Sequence, residues 1–132
     1  MPASAESIEL AKAAARAAED KLATSISAID VSDQLAIAEV FLIVSAASDR
    51  QVGAVVDEVE DAMREGGARR VRREGEREGR WVLIDYGDVV IHVQHDEEKD
   101  FYELERLWRD CPAIDLGLQG PAPQAGDDPA AR

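Results

Sequence analysis

WVLIDYGDVVIHVQHDEEKDFYELERLW, residues 81–108, is the stretch that decides the fold. It holds both histidines and most of the aromatic residues, and it reads as a β-hairpin followed by a short amphipathic helix. Successive side chains of a strand point to opposite faces, so alternation sorts them. In the first strand Val82 and Ile84 point one way, and Trp81, Leu83 and Asp85 the other. In the second, Val89, Ile91 and Val93 make one row, and Asp88, Val90 and His92 the other. A turn centred on Tyr86-Gly87 sets Asp85 opposite Asp88, Leu83 opposite Val90, Val82 opposite Ile91 and Trp81 opposite His92. The faces then match across the pair, and a slip of one residue would scramble them. One face is aliphatic and reads as core. The other mixes a tryptophan, a histidine, two acids and two aliphatics.

The rest of the chain supplies the frame. At 132 residues it predicts one domain over residues 1–118. The tail 119–132, QGPAPQAGDDPAAR from Gln119, has nothing to bury and reads as disordered. Hydrophobic content of 45% and charged content of 33% describe a soluble globular protein. A net charge of −13 argues against binding nucleic acid by phosphate neutralisation and favours a basic protein surface as partner. The lone Cys111 fits a reducing compartment and reads as a packed residue. No basic leader precedes an apolar run and no stretch is long enough to span a membrane, which predicts a cytoplasmic protein.

Residues 5–21 favour helix, with Ile8, Ala11, Ala15, Ala18 and Leu22 as a narrow apolar stripe. Residues 24–31 alternate as a first strand. Asp30, Ser32 and Asp33 then suit a turn better than a metal site. The run VFLIV, residues 40–44, reads as a central strand buried on both faces. Ser48 and Gln51 have the form of a capping box, opening a helix that buries Val52, Val55, Val56, Val59 and Met63 and ends at Gly66-Gly67. The loop before that helix lacks the glycines and lysine of a phosphate loop. Residues 68–80 interleave arginines with Glu74, Glu76 and Glu78, which reads as a charged edge strand and loop more readily than as an RNA patch. Asp96 caps a last helix that carries Phe101, Leu104 and Trp108 on one face and Tyr102 beside them, and Pro112 stops it. No internal repeat is present.

SDRQVGAVVDEVED, WVLIDYGDVVIHV and FYELERLW, in this order and spacing, resemble the ribosomal silencing factor family, also called Iojap-related proteins. The likeness covers residues 7–109, and Asp30-Val31-Ser32 resembles the family's first-strand signature. Two positions depart from the pattern. Val40 stands where an aromatic is expected, and Ala46 or Ala47 where a glycine is usual. The resemblance implies an α+β fold with a mixed, about five-stranded sheet flanked by helices, nucleotidyltransferase-like but catalytically inactive. It also implies binding to universal large-subunit ribosomal protein 14 on the intersubunit face of the large ribosomal subunit. That would block joining of the small subunit and repress translation under nutrient limitation, with a homodimer in the free state.

The residues offer a check on that expectation. A nucleotidyltransferase converges carboxylates on divalent metal, and Asp85 and Asp88 are the only close pair on a candidate face. Two carboxylates across a hairpin repel and want a cation or a basic partner residue; the alternative to silencing is therefore a metal-dependent transferase using those two acids. The histidines stand on opposite parity, with His95 in the loop after the hairpin, so they make no metal site. Trp81 either caps the sheet edge beneath the last helix or anchors an interface. The expected contact set is Trp81, Val82, Leu83, Asp85, Asp88, Val90, His92 and Tyr102, with no cofactor, no metal and little direct RNA contact.

Overall fold

The computed structural model describes residues 3–33, 35, 38–75, 81–96 and 111–118. The elements are α1 (Ala5–Asp20), β1 (Ser25–Asp30), β2 (Val40–Ala46), α2 (Asp49–Glu65), β3 (Arg72–Glu74), β4 (Trp81–Asp85) and β5 (Val89–His95). They form one five-stranded sheet in the order β1-β2-β5-β4-β3. β2 and β5 run parallel at its centre, and the other neighbours are antiparallel. The fold is thus a mixed-sheet α+β domain. The expected last helix with Tyr102, and the tail 119–132, lie outside the described residues.

The periodicities explain the layers. Val52, Val55, Val56, Val59 and Met63 form the buried stripe of α2. Buried alanines at 11, 14, 15, 17 and 18 let α1 lie close beside it. Both helices pack on the sheet face built by Leu42, Val44, Val82, Ile84, Val89, Ile91 and Val93, one continuous core. The alternating positions therefore face away from the helices. β3 is the charged edge foreseen. Arg73 and Arg70 both pair with Glu60 of α2, and Arg72 pairs with Glu74 and Asp85. At the opposite edge, the Ile114 N–H donates to Ala28 and the Asp30 N–H to the Pro112 carbonyl, while Leu116 enters the core.

Caps set the helix ends. Ser48 accepts from the Gln51 N–H at 3.1 Å, but the Gln51 amide donates to the Lys21 carbonyl instead of reaching back, so the box is only half closed. α1 stops earlier than the stripe implied. The Leu22 N–H donates to Glu19 and the Ala23 N–H to Ala18, a Schellman closure with leucine in the left-handed position at φ 65°. Leu22 is 73% exposed, so it is not part of the core as its spacing suggested. A left-handed L-residue costs about 1–2 kcal/mol, which glycine avoids at a smaller entropic cost. Leu22→Gly is expected to raise stability by about 0.5–1 kcal/mol, read as a thermal midpoint higher by roughly 2–4 °C.

Gly75 closes β3 under a tighter constraint. Its φ is +86°, and a Cβ there would collide with the carbonyl oxygen of Trp81. Gly75→Ala is expected to cost more than the roughly 1–2 kcal/mol of a left-handed alanine alone. The damage is local. Amide exchange at Val71, whose N–H donates to Asp85, should accelerate while that of β2 holds.

Candidate docking face

The face away from the helices begins with a corrected hairpin. Trp81 pairs with Gln94, Val82 with Val93, Leu83 with His92, Ile84 with Ile91 and Asp85 with Val90. The register is shifted by two residues from that expected, because the turn is centred on Gly87-Asp88. The Tyr86 N–H donates to Val89 at 3.0 Å, and Gly87 has φ +87°, as a two-residue hairpin loop with glycine first requires. A shift of two leaves every side chain on its face but changes who stands opposite whom.

Asp85 and Asp88 are the pair most affected. They do not oppose each other across the strands. The Asp85 carboxylate accepts from the Gly87 N–H at 2.8 Å and lies 3.4 Å from Arg72 Nε. It holds the turn that makes the hairpin. Asp88 sits in that turn with an exposed side chain, and its carbonyl accepts from the N–H groups of Glu39 and Val40. The repulsion that called for a cation between the two acids is gone. Among the described residues no three His, Cys, Asp or Glu side chains gather as a metal centre.

Trp81, Leu83, Asp85 and Val90 are half-buried on this face, with the exposed Asp88 at its tip. Val82 is a correction: only 3% exposed, it belongs to the core on the helix side, as its parity demanded. His92 is a second. It has the right parity, yet it is 5% exposed and lies beneath the surface. The reason is β2, whose Ile43 stands beside His92 in register while Phe41, the neighbour of Val90, leans a ring over it at 5.2 Å between centroids. Trp81 covers the other side, with centroids 6.1 Å apart and its Nε1 donating to His92 Nδ1 at 3.4 Å. Burial pushes the His92 pKa down to about 4, so the ring is neutral at physiological pH.

His95 is not in a loop. It ends β5, is buried, and lies 3.5 Å from the Asp96 carboxylate. Phe41, which the sequence pattern did not single out, shares this face with Val90 and His92. VFLIV is apolar on both sides, so its own pattern does not say which side carries the phenylalanine; only the β2–β5 register does. Below Phe41, Ser45 stands beside Gln94 and bonds the hydroxyls of Thr24 and Ser25 at 2.8 and 2.7 Å.

The comparisons agree with this architecture. The model of the family described as "Ribosomal silencing factor during starvation" matches residues 4–132. The ribosomal silencing factor RsfS of Bacillus subtilis (strain 168) is 46% identical over 105 residues, covering 80% of this chain and 89% of that protein. The protein Iojap, chloroplastic, of Zea mays is 30% identical over 112 residues, 85% of this chain and 49% of that protein. A crystal structure of a Bacillus halodurans protein superposes with a TM-score of 0.72 at 38% identity, covering 81% of this chain and 97% of its own. One from Chromobacterium violaceum gives 0.72 at 34%, covering 89% and 92%.

Proposed function

We propose, starting from the fact that this chain belongs to the ribosomal silencing factor family, that it represses translation by occupying the intersubunit face of the large ribosomal subunit. Its partner there is universal large-subunit ribosomal protein 14, and the bound domain sterically blocks joining of the small subunit. The relatives are named as silencing factors and not as transferases, and the chain is a regulator and not an enzyme. No bond is made or broken.

One observation carries the reading: a half-buried tryptophan on a mixed apolar and acidic sheet face, in a chain of net charge −13. Trp81, Leu83 and Val90, with Phe41, supply apolar contact that can be desolvated. Asp88 at the tip, with an exposed carboxylate, selects lysine or arginine on a basic protein. The overall charge speeds encounter with such a protein and disfavours rRNA phosphates. Val82 contributes from below as core, and Tyr102 is a further expected contact. A homodimer through the same face would compete with the ribosome.

The test is sedimentation of the chain with isolated large subunits, followed by addition of small subunits. The chain is expected to travel with large subunits and to lower the yield of joined ribosomes in proportion to its occupancy. Equal travel with joined ribosomes, at undiminished yield, would remove steric blocking from the model.

A further inference from the structure

His92 is buried but lies in the one place where it can act on the docking face without touching a partner. Its ring is held between Phe41 of β2 and Trp81 of β4. The indole of Trp81 does not bond its direct neighbour Gln94. It reaches diagonally across the pair, and its Nε1–H ends on His92 Nδ1. A neutral imidazole has one acceptor nitrogen, so accepting at Nδ1 places the ring proton on Nε2. Nε2 is itself buried, with no hydrogen-bond partner among the described residues. The ring thus uses its only acceptor to fix an indole.

We infer that His92 is a positioning residue: it locks the Trp81 side chain in the orientation that docking needs. The inference rests on the proposed docking role of Trp81. A long side chain free in solution must be immobilised on binding, and one already held by a hydrogen bond loses less. The expected effect of removing the lock is a three- to tenfold loss of affinity, on the order of one immobilised side chain. Phe41 buttresses the imidazole from the other side and keeps it from turning away. Among the described residues, the charged groups sharing this face are Asp85 of β4 and Arg72 and Glu74 of β3, which pair among themselves, and the exposed Asp88 at its tip; β1 and β2 contribute none to it.

Three substitutions separate the possibilities. His92→Phe keeps a buried ring and deletes the acceptor. His92→Asn supplies an amide oxygen near the position of Nδ1. Trp81→Phe keeps an aromatic ring and deletes the donor. Two quantities are read on the full chain: hydrogen exchange of the Trp81 indole N–H by NMR, its resonance assigned by its loss in Trp81→Phe, and the dissociation constant with isolated large subunits. Indole exchange is expected to accelerate at least tenfold in His92→Phe and to stay near wild type in His92→Asn, which also guards against a variant that fails to fold. Affinity is expected to fall three- to tenfold in His92→Phe, to recover in His92→Asn, and to fall no further when His92→Phe is added to Trp81→Phe. Unchanged indole exchange in His92→Phe would overturn the positioning role, whatever happens to binding. An additive loss in the double variant would overturn it too. Full affinity in both Trp81→Phe and Trp81→Ala would instead overturn the docking reading beneath it.

Discussion

Trp81→Ala is expected to weaken association with large ribosomal subunits about thirtyfold, or roughly 2 kcal/mol and more. The size follows from where the indole sits. Trp81 starts β4, half-buried, with its ring leaning on His92 and its surroundings apolar at Leu83. An aromatic with one face already packed loses little freedom on binding and can bury the rest of its area against a partner. The truncation also uncovers His92 and strands its Nδ1, so some loss of fold stability accompanies it. Sedimentation titration at a temperature well below the variant's unfolding midpoint separates the two effects. Asp88→Lys is the companion measurement: its side chain is exposed in the turn, the fold should be indifferent to it, and the association rate should fall with a reduced dependence on salt. Undiminished binding in both variants would remove this face from the model.

The second large effect is on stability against pH. His92 has its pKa lowered by burial from 6.5 to about 4. The unfolded chain takes up a proton at this ring near pH 6.5, while the folded chain refuses it until about pH 4. Stability from this group is therefore complete above the higher value, falls as the pH drops between the two, and is fully lost below the lower one. The slope is ~1.4 kcal/mol per pH unit, for a total of roughly 3 kcal/mol. Two carboxylates act in the same direction but at lower pH. For Asp30, burial favours the neutral acid, but the Ser32 hydroxyl and N–H and the Ala3 N–H outweigh it and leave the pKa below 3.8. The Ser4 N–H and Ser7 hydroxyl hold Glu39 below 4.5. Their contributions are present above those ordinary values and are lost as the pH falls through the depressed ones. Denaturant titrations at a series of pH values should show a decline beginning near pH 6.5, where carboxylates are still ionised. In His92→Phe the decline should start only near pH 4.5. A flat profile in the parent between pH 7 and 5 would contradict the burial of a neutral ring.

Much of this architecture was legible because period and parity are local properties. The stripe Val52–Met63, the cap at Ser48 and the two faces of the hairpin each follow from residues that are near neighbours in the chain. What escaped depends on distant partners. A two-residue register shift preserves every parity argument, so Trp81 could be placed on its face but not opposite Gln94. The turn chemistry held the missing signal: glycine at the first central position points to Gly87-Asp88, which also turns Asp85 into a turn-holding residue and not half of a carboxylate pair. His92 shared a face with Trp81 in the sequence pattern, yet it is buried, and one of the rings packed against it is Phe41, delivered by a strand far away in the chain. Leu22 kept the helical spacing past the point where the backbone had already reversed its hand.

The parallel pairing at the centre of the sheet has a consequence for how the chain reaches its native state. β1 and β2 can close as a hairpin soon after they are made. The other side of β2 waits for β5, because Val40 pairs with Val89 and Ala46 with His95. Loop closure over that span must be completed before the central contacts repay it, which places the domain among the slower folders for its size. During synthesis the N-terminal half therefore carries an unpaired apolar strand edge, VFLIV, until the hairpin of β4 and β5 arrives to cover it.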